Sequence, residues 1–258
     1  MPGVTYYAVF HFAGGDFSGW QSQPSARTVQ RSIEDALERL AGRRVVTHAA
    51  GRTDAGVHSL GQVASFRMPE RWTSQDLLRA LRATLPRDIW AADVGCAPED
   101  FNARRDATAR RYRYVIGCDA AAFSPFRRPF EWALGQQMNW DLLRDSAAFF
   151  LGEHDFRPYS AVGQQKPHYH CNVTVARWRK RNDAEGFIFT VEADRFLHRM
   201  VRFMVGTMVD VGSGRRPLED VSGLLSRPDN LETSPPAPPE GLYLLGARYP
   251  QLENEVLD

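Results

Sequence analysis

Lysine is nearly missing from this chain, whose 258 residues hold Lys166 and Lys180 against 30 arginines. Cysteine is almost as scarce. Cys96, Cys118 and Cys171 are odd in number and far apart, which argues against a disulfide framework or a paired-cysteine metal or redox site and leaves reduced, mostly buried thiols as the expectation. No apolar run approaches the roughly eighteen residues of a membrane-spanning helix, and the opening MPGVTYYAVFHFAGG lacks the basic-then-apolar layout of a secretory signal. A cytoplasmic protein with no membrane partner is therefore expected. Neither a phosphate-cradling glycine loop nor a persuasive cluster of metal ligands occurs, so no metal, nucleotide or redox cofactor is expected. Net charge is also close to absent, at +1. The remaining composition, 43% hydrophobic and 24% charged, is ordinary for a globular protein of one large or two small cores.

What is present is arginine, and its placement says more than its total, which a GC-rich coding bias would also explain. Arg104, Arg105, Arg110, Arg111 and Arg113 fall within ten residues, interleaved with Tyr112 and Tyr114. A strand through RRYRYVI sets Tyr112, Tyr114 and Ile116 on one face and Arg111, Arg113 and Val115 on the other. Arginine's planar fork suits phosphate and stacks on bases, so a basic and aromatic surface of this kind suits RNA.

Periodicity predicts a strand over 4–12, a helix over 28–41, strands over 45–50 and 61–66, a helix over 74–85 and a strand over 88–95. The first helix takes Thr28 as N-cap, carries Val29, Ile33, Leu37 and Leu40 on one face, and stops at Gly42. This βαββαβ order is ferredoxin-like. It recurs after about residue 105: the strand RRYRYVIG, a helix over 139–151 on Trp140, Leu143, Ala147 and Phe150, the hairpin CNVTVARWRKR with GFIFTVEAD, a helix near 197–211, a short helix after Pro217 and the strand GLYLLGARY. The expected fold is α+β, with ferredoxin-like halves over 1–105 and 106–258 joined into one mainly antiparallel sheet. Loops at 13–27, 118–138, 152–170 and 228–240 exceed what connection requires.

Within AGRTDAGVHSLGQVASF, residues 50–66, Asp54 stands between Gly51 and Gly56. In an extended GRTD, Arg52 shares its face and would lower its pKa by about 1 to 3 units, as a carboxylate nucleophile or base requires. The alternative is an aspartate capping its own turn, with Arg52 a surface partner worth about 0 to 1 kcal/mol. Physics alone leaves both open. Two further motifs read as structure: the crowded donors of HYHC, His168 to Cys171, lack a second cluster, and Leu197, Met200, Val201, Met204, Val205 and Met208 form a core-facing helical stripe.

GRTDAGVHSLGQVASF resembles the signature GRTDAGVHaxGQVxxF of the tRNA pseudouridine synthase A family. GGDFSGWQSQPSARTVQRSIEDAL upstream and FNARRDATARRYRYVI downstream resemble that family's GTxFxGWQxQ, TVQxxLExAL and FHARFxAxxRxYRY patterns. LGEHDFRPY, FLHRMVRFMVGTMVDVG and EGLYLLGARYP extend the similarity over nearly the whole chain. The resemblance implies two ferredoxin-like halves around a central basic cleft, and isomerisation of uridine to pseudouridine in the anticodon stem-loop of tRNA at positions 38–40. By position it implies Asp54 as catalytic aspartate, Arg202 as its basic partner and Tyr112 as the ring stacking on the target uridine. Arg52 would contact RNA and steady the loop, while the basic cluster itself, apart from the resemblance, gives Arg104, Arg105, Arg110 and Arg111 as further RNA contacts. A homodimer is implied as well. The chain departs from the pattern at Ala13 for aspartate, Asn102 for histidine, Arg105 for an aromatic residue and Cys171 for arginine, which bears on RNA affinity and site preference. A non-catalytic RNA-binding module would account for the arginines and tyrosines but not for the Arg-Asp pair. A retaining glycosidase would need a second carboxylate about 5 Å from the first, for which Asp16 and Asp194 are the candidates.

Overall fold

The computed structural model describes residues 3–161, 168–227, 229 and 231–252; Lys166 and parts of the loops expected at 152–170 and 228–240 lie outside the described residues. In chain order the elements are β1 (Gly3–Phe12), α1 (Val29–Ala41), β2 (His48–Ala49), β3 (His58–Pro69), α2 (Ser74–Thr84), β4 (Ile89–Cys96) and β5 (Ala109–Gly117). They continue with β6 (Trp132–Ala133), α3 (Trp140–Ala148), β7 (Gly152–Asp155), β8 (His170–Lys180), β9 (Gly186–Ala193), α4 (Met200–Gly212), α5 (Asp220–Leu225) and β10 (Leu242–Arg248). The class is α+β with mixed, mostly antiparallel pairing. Two compact units form, one of Met1–Arg110 with Tyr243–Asp258 and one of Arg111–Leu242.

In the first unit the strands run β4-β1-β3, with β2 and β10 both on the far edge of β3. β2 pairs antiparallel at Ala64 and Ser65, whereas β10 pairs parallel at His58 and Ser59. Alternation along β1 divides its residues between two cores. Tyr6, Ala8, Phe10 and Phe12 meet Val29, Ile33 and Leu37 of α1 and Leu77 and Leu81 of α2. Tyr7 and Val9 join Val63, Phe101, Ala103 and Tyr249 on the opposite face, where the Tyr249 hydroxyl donates to the Ala103 carbonyl at 2.6 Å. Gly61 allows close strand approach: a Cβ there would stand 2.0 Å from the Leu245 carbonyl oxygen.

Three local expectations need correction. The strand expected over 45–50 shrinks to β2, because the Thr47 N–H and hydroxyl both bond the Glu34 carboxylate, at 2.9 and 3.0 Å, and tie that backbone to α1. Thr28 occupies the N-cap position of α1 without capping through its side chain; the carbonyls of Gly19 and Trp20 accept from the Val29 and Gln30 N–H groups instead. Part of the expected 152–170 loop is β7, paired with β8 from Gly152↔Val173 to Asp155↔His170.

The second unit orders its strands β5-β9-β8-β7, with β6 parallel to β5. Helix α4 buries eleven of its thirteen residues, including Met200, Val201, Met204, Val205 and Met208 of the expected stripe, and so is core. Trp178 of β8 packs on Phe189 of β9 and donates its indole N–H to the Met208 sulfur at 3.1 Å. Cys118 and Cys171 are buried as expected, and burial pushes the Cys118 thiol up to about 11; Cys96 is exposed instead.

Glu131 is buried between two arginines, bridging Arg127 at 2.8 Å and also pairing with Arg181. Removing its charge would leave Arg127 with Asp119 and Arg181 with Asp183 as their remaining carboxylate partners, and would weaken two charge-assisted hydrogen bonds in a buried site. Glu131→Gln should therefore destabilise the protein by about 1 to 3 kcal/mol in urea-induced unfolding. A change within about 0.5 kcal/mol, the range usual for surface substitutions, would remove this network from the set that holds the second unit together.

Candidate active site

Asp54 lies in the loop between β2 and β3, half-buried, with Arg52 exposed and Thr53 buried beside it. The loop leaves β3 in an ordered way. The Ala50 N–H donates to the Val63 carbonyl at 2.8 Å, and the Gln62 side-chain amide donates to the Gly51 carbonyl at 2.7 Å. Arg110 adds a third tie, its guanidinium donating to the Ala50 carbonyl at 3.0 and 3.1 Å.

Around Asp54 itself, the 17–20 segment holds the loop by its backbone. The Trp20 N–H donates to the Thr53 carbonyl at 3.0 Å, and the Gly56 N–H donates to the Phe17 carbonyl at 3.4 Å. This approach requires two glycines. Gly19 has φ of 89°, and a Cβ on it would stand 2.8 Å from the Thr53 carbonyl oxygen; one on Gly14 would stand 2.0 Å from the Val57 carbonyl oxygen. Gly56 turns the loop with φ of 80°. His58, at the start of β3, accepts the Gly14 N–H on Nδ1 at 3.0 Å and stacks on Tyr243 at 4.9 Å between centroids. An accepting Nδ1 fixes the neutral tautomer with its proton on Nε2. The sequence reading missed these supporting roles, although GGDFSGW and GQV advertised them as glycine and amide positions beside the Asp54 motif.

Tyr112 and Arg202 belong to the second unit. Tyr112 is 8% exposed and meets Phe196 edge-on at 5.0 Å. Tyr114 and Ile116, on the same face of β5, are fully buried. Arg202 sits half-buried in the first turn of α4, donating Nε to the Ala237 carbonyl at 2.6 Å.

The expected RNA-contacting arginines divide into two groups. Arg110 is turned to the carbonyls of Ala50, Arg104 and Ala107, and Arg111 pairs with the nearly buried Glu192 at 2.7 Å. Arg105 donates to Asp106 at 2.8 Å and to the Asp100 carbonyl at 2.7 Å; together with the Asn102 N–H it holds the Asp106 carboxyl below its ordinary range. Arg52 and Arg104 are exposed and make no side-chain hydrogen bond or ion pair among the described residues. The HYHC donors do not converge: Cys171 is buried, whereas His168 and His170 are exposed, with His168 against Arg195. Among the described residues no group of three His, Cys, Asp or Glu side chains is placed to hold a metal ion, and no helix is long and apolar enough to cross a membrane. Asp194, a candidate second carboxylate, accepts the Asn172 and Arg195 N–H groups at 2.9 and 2.7 Å, a bracing role in its own unit.

Residues 8–104 and 147–250 match the sequence profile of a family described as tRNA pseudouridine synthase. Asp54 and Arg202 fall within the matched stretches, and Tyr112 falls between them. A tRNA pseudouridine synthase A from Thermosipho africanus is 40% identical over 91% of this chain and 95% of its own length. The enzymes of the same name from Myxococcus xanthus and Limosilactobacillus fermentum are 38% and 33% identical, covering 90% and 98% of this chain and 87% and 99% of theirs.

If the Gly19 approach sets the place of Asp54, adding a methyl group there should impair turnover more than binding. Gly19→Ala should lower kcat about tenfold or more, as small displacements of a reacting group do, with substrate affinity kept within a few fold. Gly15→Ala is the control, since a Cβ there meets nothing within 4 Å. Equal kcat values for the two variants would show that the 17–20 segment does not position the loop.

Proposed function

The chain belongs to the tRNA pseudouridine synthase family, and from that premise we propose that Asp54 is the carboxylate that opens the glycosidic bond of a tRNA uridine. The enzyme is an isomerase acting on tRNA. Its reaction breaks the bond between uracil N1 and the ribose, turns the base and rejoins it to the sugar through C5; the C5 proton leaves and N1 gains one, so composition is unchanged. Such a reaction needs one well-placed carboxylate acting as nucleophile at the sugar, nucleophile at the ring or base at the sugar. The observation that carries the reading is the GRTDAGVH loop, complete at Asp54 and secured by backbone and side-chain bonds on both sides of that residue. Preorganisation of this kind suits a group that must meet a reacting carbon within a fraction of an ångström.

We assign Tyr112 to stacking on the uracil, worth about 1 to 3 kcal/mol, once the base has left its helical stack. Arg202 is assigned as the cation that partners Asp54, and Arg52 as a contact to the RNA strand. The exposed Arg104 is the better candidate for a phosphate than Arg110 or Arg111, whose guanidiniums already serve carbonyls and Glu192. The target region is the anticodon stem-loop, the assembly a homodimer and the compartment the cytoplasm. The fold reading behind this is two ferredoxin-like halves with a basic cleft. The order β4-β1-β3-β2 in the first unit supports it, as does β5-β9-β8 in the second, which repeats the 1-3-2 part of that order.

Purified protein should release tritium from C5-labelled uridine in unmodified tRNA without added metal or cofactor, and turnover that a chelator abolishes would count against a carboxylate acting alone. Asp54→Asn should remove turnover while tRNA binding stays within a few fold, because phosphate contacts carry most of the affinity. Residual activity near the wild-type level would sink the assignment. Tyr112→Phe should lose less activity than Tyr112→Leu, since the ring is kept; the opposite ranking would exclude stacking.

For the assembly, light scattering at micromolar concentration should give the mass of two chains. Finding single chains with full activity would refute the dimer.

A further inference from the structure

Asn102 and Arg105, the two positions of FNARRD that depart from the family pattern, both line one groove of about 570 Å³ in the first unit. Arg43, Arg44, His48 and Arg67 line it with them. A volume of this size is in the range of ligand sites. We propose that this groove is a phosphate site that holds a backbone phosphodiester of the tRNA, at a place on the first unit separate from the Asp54 loop. The proposal rests on the reading of the chain as a tRNA-modifying enzyme and adds a second point of contact to it.

Charge is the first argument. Arg67 is matched by Glu99 at 3.0 Å and Arg105 by Asp106 at 2.8 Å. Arg43 and Arg44, adjacent and exposed, form no ion pair among the described residues, and Asp100 is the one lining carboxylate left opposite them. The balance is a surplus of one positive charge, which is the charge of one phosphodiester. Donor geometry is the second. The Asn102 side-chain oxygen accepts the Arg104 and Arg105 N–H groups at 3.0 and 3.1 Å, so its NH2 end remains as a donor. A histidine at that position could not accept two backbone N–H groups and present two donor hydrogens as well.

Position is the third. His48 precedes Asp54 by six residues, and the chain between them first runs alongside β3 through the Ala50 to Val63 bond. Six extended residues reach no more than about 20 Å. That limit keeps the groove within the span of one RNA strand that also reaches Asp54.

The double substitution Arg43→Ala with Arg44→Ala, assayed on unmodified tRNA, should raise KM about tenfold, as loss of one charge-assisted contact does, and leave kcat unchanged. The plot of log kcat/KM against log salt should become shallower by about one unit. Arg43→Lys with Arg44→Lys should keep the wild-type slope, and melting curves without RNA should match for all three proteins. Inorganic phosphate is the second probe and should raise the melting temperature of wild type more than that of the alanine variant. If phosphate stabilises only wild type while KM and the salt slope for tRNA are unchanged, the groove holds a small free anion and the RNA assignment is overturned. Unchanged KM, slope and phosphate response overturn the site itself. Failure of the functional reading would look different: wild-type protein would release no tritium from tRNA at all.

Discussion

Everything proposed for Asp54 depends on two backbone hydrogen bonds, Trp20 N–H to the Thr53 carbonyl and Gly56 N–H to the Phe17 carbonyl. They are short-range contacts with long-range supports. The Trp20 ring is buried in the first core beside Phe12, and the carbonyls of Gly19 and Trp20 receive the first N–H groups of α1. The apolar stripe of α1 therefore anchors the helix, the helix start anchors the 19–20 turn, and the turn anchors the Asp54 loop. Thr28 is released from capping because those helix N–H groups already have acceptors. The left-handed φ of Gly19 is the conformational requirement at the centre of this chain of supports.

A second constraint is the division of arginine between architecture and ligand. With two lysines in the sequence, arginine carries nearly all positive charge, yet many guanidiniums are turned inward. Arg110 ties the 104–107 segment to the root of the Asp54 loop, Arg111 neutralises Glu192, and Arg127 and Arg181 flank Glu131. Arginine suits this work because its fork serves several acceptors at once without losing its charge. Arg52 and Arg104 near the loop and Arg43 and Arg44 in the groove are among those that form no ion pair among the described residues. Local field at such groups, more than the net charge of +1, governs how a polyanion is held.

Legibility followed the range of the interaction. Helices α1 and α2 and strands β1, β4, β5, β8, β9 and β10 were readable because each carries its own periodicity and turn residues. β2 and β7 were not. The first is cut short by Glu34, thirteen positions away from Thr47, and the second exists through pairing with β8 in a segment whose own pattern, GEHD, shows no alternation. Asp54 was legible as a motif, whereas the glycines that hold it were visible only as turn formers. Arg110 and Arg111 read as RNA ligands from their neighbours in sequence, and their acceptors at Ala50 and Glu192 lie sixty and eighty-one positions away.

The sequence by itself determined the element types, the α+β class and the family, and it singled out Asp54 as the candidate carboxylate, because these rest on local pattern and on residues whose chemistry does not depend on their neighbours. Tertiary structure alone decided which arginines remain available, why Gly14 and Gly19 must lack a side chain, and that Asn102 and Arg105 share a groove with Arg43 and Arg44. Those outcomes are set by which acceptors and which backbone segments arrive from distant parts of the chain, and sequence spacing carries no record of that arrival.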